Sequence, residues 1–177
     1  MKTIFWGLLI TCLHFNLNFD SSTIDLIPSF LGWYLVSRGL RELPPCTARD
    51  DSASPVKLMI ALTAATWFLQ ILGGLGIFGG AVALLSGFCE FYALWMLIQT
   101  VKAMELIVSH SMPGETLSVV WRAYLLCTIL VYVPFLSGIC ALAAFGCKIA
   151  LVYWFWRAAK AYEEAMAHPI EILPPEE

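Results

Sequence analysis

Charge is what this chain has least of. Asp, Glu, Lys and Arg make up 13% of its 177 residues, against the ~25% usual in soluble domains. That shortage excludes a water-solvated surface around the whole molecule, because apolar patches of such extent aggregate unless lipid covers them. Basic clusters are missing as well, which excludes the electrostatic footprint of a nucleic-acid binder. The six cysteines, at positions 12, 46, 89, 127, 140 and 147, form no Cys-x-x-Cys pair and no metal-ligand spacing. Five of them lie within apolar runs and read as small packing residues. Equally absent are His-Glu-x-x-His, Gly-x-Ser-x-Gly, a phosphate-binding loop and the clustered aspartates of a lipid phosphotransferase. No enzymatic activity, cofactor or metal is therefore expected.

What remains is apolar: 60% of residues are hydrophobic and the mean hydropathy is +0.79. The chain reads as an all-α, polytopic membrane bundle, with room at about 20 residues per crossing for six transmembrane helices. Apolar runs punctuated by Gly, Pro and charge predict helices over 4–19, 24–43, 56–73, 77–109, 116–135 and 138–166. These form a single domain, 1–168, followed by a flexible cytoplasmic tail, 169–177. Met1-Lys2 ahead of an apolar run imitates a signal peptide, but no small-x-small cleavage site follows, so the segment reads as an uncleaved first helix. The second run is the weakest. From Ile27 to Leu40 it has 14 residues, about 21 Å of helix. It must start nearer Ile24, extend to Leu43, or re-enter the membrane without crossing it.

Orientation follows from the basic residues. With the N-terminus inside, Lys2, Arg38, Arg41, Arg49, Lys57, Lys102, Arg122, Arg157 and Lys160 all fall on the cytoplasmic side and none falls outside. The outer connections are acidic (Asp20 to Asp25), glycine-rich (Gly73 to Gly76) or tight (Pro134 to Gly138), and the run Tyr153-Trp154-Phe155-Trp156 marks an interface just before Arg157. The resulting arrangement is three antiparallel hairpins with both ends in the cytoplasm. An internal echo accompanies it: at an offset of 58, the segments 89–110 and 147–168 share five of 22 residues, Cys89/Cys147, Lys102/Lys160, Ala103/Ala161, Glu105/Glu163 and His110/His168.

Glu90 and Lys148 carry the chemistry. Each sits inside an apolar run, where an ionised side chain costs about 2.5–3.5 kcal/mol, and each lies twelve residues from its cytoplasmic lysine, Lys102 or Lys160. Similar depth points to an ion pair between the fourth and sixth helices. Small residues on the same faces, Gly79, Ala83 and Gly87 on one helix and Cys140 and Ala144 on the other, predict close helix packing there. The pair can line a solute or proton-coupled site, or it can be a salt bridge that only fixes helix register. Other polar residues have simpler explanations. Asn16, Asn18 and Gln70 lie near the outer end, Arg122 can snorkel beside Trp121, and His14, His110 and His168 sit near helix ends.

Asp25 and Pro28 read as a cap at the outer mouth of the second helix, the acid accepting orphan N–H groups and the proline fitting the first turn. The segment Ile24-Asp25-Leu26-Ile27-Pro28-Ser29-Phe30-Leu31-Gly32-Trp33, continued by Gly39-Leu40 and Leu43, resembles a group of uncharacterised small bacterial multi-pass proteins. Their pattern is Ile-Asp-x-x-Pro-x-Phe-x-Gly-Tyr followed by Gly-Leu-x-x-Leu; the family pattern carries an acid where this chain has Ser29. The resemblance implies a bacterial cytoplasmic (inner) membrane and supplies no activity. Two function classes stand: transport of a small solute or ion through the Glu90–Lys148 region, or a membrane-embedded accessory subunit. The expected partners are the lipid bilayer together with a small solute or ion, a membrane protein, or further copies of the chain.

Overall fold

A computed structural model describes residues 1–12, 16–19, 22–25, 28–71, 79–108 and 110–167. Among the described residues the regular structure is helical except for one short ladder. The helices are α1 (Lys2–Cys12), α2 (Ser29–Arg41), α3 (Thr47–Ile71), α4 (Gly79–Val108), α5 (Gly114–Leu130) and α6 (Ser137–Ala167). Two four-residue antiparallel strands, β1 (Asn16–Phe19) and β2 (Ser22–Asp25), lie between α1 and α2, pairing Leu17 with Ile24 and Asn18 with Thr23. Among the described residues three helices are long and apolar enough to cross a membrane: Thr47–Gln70, Leu84–Val108 and Ser137–Ala167.

Several boundaries differ from those read off the sequence, each for a local reason. The first helix stops at Cys12 rather than continuing to Phe19, because the polar–apolar alternation of Asn16-Leu17-Asn18-Phe19 suits a strand. The second begins at Ser29, not 24, since Ser22 to Asp25 is the partner strand. The third starts at Thr47, nine residues before the expected 56, and runs through Pro55, an interior proline that leaves the Asp51 carbonyl without its helical N–H partner. The fifth ends at Leu130 rather than 135, and the chain turns over 131–136, where Pro134 disfavours continuation. The proposed tail, 169–177, lies outside the described residues.

Each helix packs on its neighbour in sequence, α6 also closes against α1, and α4 touches α6. Polar ties gather at the end of the bundle that holds Met1. There Lys2 Nζ meets Glu163 Oε2 at 2.7 Å, and Thr3 Oγ1 donates to Glu42 Oε2 at 2.6 Å. Lys102 Nζ donates to Glu115 Oε1 at 2.8 Å; this hydrogen bond and the positive charge hold the Glu115 carboxyl below its ordinary range. The core is concentrated at the same end: Val36, Val56, Ala93, Ile98, Met104, Leu117 and Ala158 have no exposed surface. At the opposite end Phe88, Tyr132, Phe135, Ile139 and Leu142 are more than two-thirds exposed. That collar of outward apolar side chains is what a hydrocarbon solvent, and not water, would cover.

Between α3 and α4 the closest tie is polar. The hydroxyls of Ser52 and Thr100 lie 2.6 Å apart, both buried, and both reach the Ala48 carbonyl, at 2.6 and 3.0 Å. Thr100→Val keeps the shape and removes the interhelical hydrogen bonds. The expected result is a loss of about 1 kcal/mol, read as a lowered Tm in detergent with the helical circular dichroism unchanged.

Close packing by small residues occurs between α1 and α2. A Cβ on Gly7 would lie 2.5 Å from the Gly32 carbonyl oxygen, one on Gly32 2.6 Å from the Gly7 carbonyl oxygen, and one on Gly39 2.7 Å from the Ile4 amide nitrogen. These helices touch backbone to backbone. The small-residue face expected on the fourth helix is corrected at Gly87, where a Cβ would meet nothing within 4 Å: the helix surface there opens onto a groove and not onto a neighbouring helix. On α6, Cys140 is buried but Gly146 likewise faces open space.

Candidate functional site

Glu90 lies a little over a third of the way along α4, and Lys148 a similar distance along α6. Their side chains meet, Lys148 Nζ lying 2.9 Å from Glu90 Oε1, with side-chain exposures of 22% and 27% for Lys148 and Glu90. The two helices are not broad packing partners here, so the charges bridge a gap that α1 and α5 flank. Leu8, Trp33, Leu94, Leu151 and Phe155 form an apolar surround, joined by Thr11 and Cys12 of α1. From the other side the phenol of Tyr124 on α5 comes within electrostatic reach of both charges. A carboxylate–ammonium pair with this little water around it is strongly attractive, and separating it leaves two poorly solvated ions.

Tyr124 is itself held by an aromatic seam between α4 and α5. Its ring lies 4.9 Å from that of Phe91, Trp95 and Trp121 are equally close, and the Trp121 indole N–H donates to the Phe91 carbonyl at 3.1 Å. The bonded carbonyl belongs to the residue next to Glu90. The seam thereby fixes the stretch of α4 that presents the carboxylate.

Glu90 has a second face. A partly open cavity of about 150 Å³ with a mixed polar and apolar lining lies among α1, α2, α3 and α4, and Glu90 lines it together with Thr11, Thr63, Thr66, Gln70 and Ser86, while Met59, Trp33 and Trp67 supply apolar wall. Lys148 does not line this cavity; it lies on the far side of the carboxylate, beside the apolar surround. Glu90 thus stands between an internal ammonium group and this cavity. The residues not anticipated are the threonines. Thr63, Thr66 and Gln70 recur at i, i+3 and i+7 on α3, the spacing of one helix face. Gln70, read from sequence as a residue near outer water, contributes to this interior wall.

The other sequence candidates fall elsewhere. Pro28 occupies the N-cap position of α2, with φ −62° and ψ 125°, one residue ahead of the first turn in which it was expected. Asp25 ends β2, where its backbone pairs with Asn16; its side chain lies outside the described residues, as do His14, His168 and the side chains of Asn16 and Asn18. His110 is exposed on the connection after α4, beside Arg157 and Lys160. All six cysteines are free thiols. Among the described residues no group of three or more His, Cys, Asp and Glu converges on one point.

The fold and site define a class: a helical protein with, among the described residues, three helices of membrane-crossing length and a partly shielded Glu–Lys pair beside a partly polar cavity. No protein-family model, curated protein or solved structure matches this chain.

Proposed function

We propose that the chain is a six-span membrane protein, three antiparallel hairpins with both ends cytoplasmic, that transports a small solute or ion past the Glu90–Lys148 pair. The observation that carries the reading is the partly polar cavity reaching Glu90. A purely structural salt bridge needs no such space, whereas a transported solute needs a polar site near mid-bundle that it shares with an exchangeable charge. Protonation of Glu90, or a competing ion beside it, would release Lys148 and loosen α4 from α6.

The hairpin topology draws support from the ties Lys2–Glu163, Thr3–Glu42, Ser52–Thr100 and Lys102–Glu115, which join the start of one helix to the end of another at a single pole. Among the described residues three helices, α3, α4 and α6, are long and apolar enough to cross; α1, with 11 residues, reaches only about 16 Å of the ~30 Å hydrocarbon core, and six spans rest on the apolar runs of the sequence. Strand β2 lies against α3. The bacterial inner membrane is part of the same proposal, resting on the distribution of basic residues and on the family resemblance.

The test is flux. With the protein reconstituted in liposomes and a panel of labelled cations, amines and small anions supplied, Glu90→Gln is expected to abolish the uptake seen with the natural sequence. Flux that survives Glu90→Gln while Tm falls would reduce the pair to a structural brace. One observation favours the accessory-subunit reading instead. An apolar groove of about 300 Å³ runs between α4 and α5, lined by Leu84, Gly87, Phe88, Phe91, Leu125 and Ile129; a stoichiometric membrane protein retained through purification would give that reading the better claim.

A further inference from the structure

The cavity beside Glu90 is rich in acceptors, with the Ser29 and Ser86 hydroxyls and the Gln70 amide nitrogen also on its wall. Thr11 donates its hydroxyl proton to the Leu8 carbonyl at 2.8 Å, Thr63 to the Met59 carbonyl at 2.6 Å and Thr66 to the Leu62 carbonyl at 2.7 Å. A hydroxyl has one proton and two lone pairs. With the proton committed to the helix backbone, each of these threonines turns lone pairs to its surroundings. Gln70 Oε1 is buried and accepts no hydrogen bond from any of the described residues, and a buried acceptor left in that condition costs about 1–3 kcal/mol unless something donates to it. The Glu90 carboxylate completes the wall. The nearest ammonium, Lys148, is on the other side of that carboxylate.

A space so furnished discriminates by sign. An anion would meet the carboxylate and four oxygen lone-pair surfaces in a medium of low dielectric, where like charge is costly. A cation or a protonated amine meets every one of those groups favourably. The volume, about 150 Å³, is that of a few water molecules at roughly 30 Å³ each, so the guest is small. A divalent ion of the calcium type typically takes six to eight oxygens, several of them from carboxylates; this wall supplies one carboxylate, which fits a single positive charge.

We infer that the cavity binds a small monovalent cation, an alkali ion or a protonated amine of ammonium size, held by Thr11, Thr63, Thr66, Gln70 and Glu90. The inference deepens the transport reading and rests on it for the role of Glu90. The guest and Lys148 Nζ then compete for one carboxylate, so occupancy weakens the α4–α6 bridge. Lys148 acts as a tethered stand-in for the ion when the site is vacated.

The experiment is ion-specific stabilisation of the purified full-length protein in nanodiscs. Sodium, potassium, ammonium and methylammonium chlorides are titrated against choline chloride at constant ionic strength. At least one small cation is expected to raise Tm saturably by about 2–4 °C, and choline is not. Thr66→Val with Gln70→Leu is expected to weaken the apparent affinity about tenfold or more, whereas Thr66→Ser retains it. If the double variant is not recovered folded, Glu90→Gln combined with Lys148→Met reads the same loss. Identical curves for all salts, or undiminished ion response in these variants, would overturn the inference. Alkali-ion and amine responses separate the two kinds of guest. Cation-specific stabilisation without cation flux into liposomes leaves the site standing and removes the transport reading; flux without cation specificity does the reverse.

Discussion

Removing either member of the Glu90–Lys148 pair is expected to damage the protein more than removing both. Glu90→Gln leaves an ammonium, and Lys148→Met leaves a carboxylate, in a region where a lone charge costs about 2.5–3.5 kcal/mol. The contact is short, 2.9 Å, and both side chains are largely shielded, so neither ion can simply re-enter water. Glu90→Gln with Lys148→Met leaves no ion to solvate and is expected to recover most of the loss, giving a coupling energy of about 1–3 kcal/mol in a double-mutant cycle. The measurement is Tm in nanodiscs for the four proteins of the cycle. Additive losses would mean that the two charges do not depend on one another. The cycle also separates stability from flux, because the double variant is expected to be stable and yet inactive in transport.

A second large effect is expected where α1 and α2 meet. Gly32→Val places a branched side chain where even a Cβ would approach the Gly7 carbonyl oxygen to 2.6 Å and the Thr11 amide nitrogen to 2.9 Å. Neither is the end of a flexible side chain, so the helices must move apart, and α1 would lose its contact with α2. The expected cost is at least about 3 kcal/mol, the upper end for overpacking, seen as a lower yield of monodisperse protein and a depressed Tm. Gly87→Ala is the matched control. Its Cβ meets nothing within 4 Å, and alanine is the better helix former by up to about 1 kcal/mol, so stability is expected to hold or rise. Equal damage from the two substitutions would contradict the close backbone contact at Gly32.

The long apolar helices α3, α4 and α6 were legible because their composition alone demands a shielded environment over two dozen residues or more. The end of α1 was not. Leu17 and Phe19 keep a window average apolar, whereas the alternation with Asn16 and Asn18, and the β-branched Thr23-Ile24 opposite, carry the strand signal at a period of two. The start of α3 was hidden by Pro55, which reads as a boundary because an interior proline loses a hydrogen bond and crowds the carbonyl four residues back; the buried contacts of Ser52, Val56 and Met59 on either side hold the helix through it. Glu90 and Lys148 stood out because ions are rare in apolar runs. The threonines did not, since their hydropathy is intermediate and a hydroxyl bonded to its own helix looks innocuous in sequence. The glycines that matter were also obscured: Gly7, Gly32 and Gly39 differ from Gly87 only in what stands opposite, which is a property of the second helix and not of the first.

The placement of Glu90 and Lys148 on α4 and α6 also imposes an order on biosynthesis. Ribosomes deliver Glu90 58 residues before Lys148 exists, so the carboxyl enters the bilayer of the proposed topology with no ammonium to meet it. An unpaired charge is costly in an apolar span, and α6 brings the group that offsets it. The last helix both supplies the missing charge and closes on α1. Arrival of α6 thus completes the ion pair and the contact with α1 in one step.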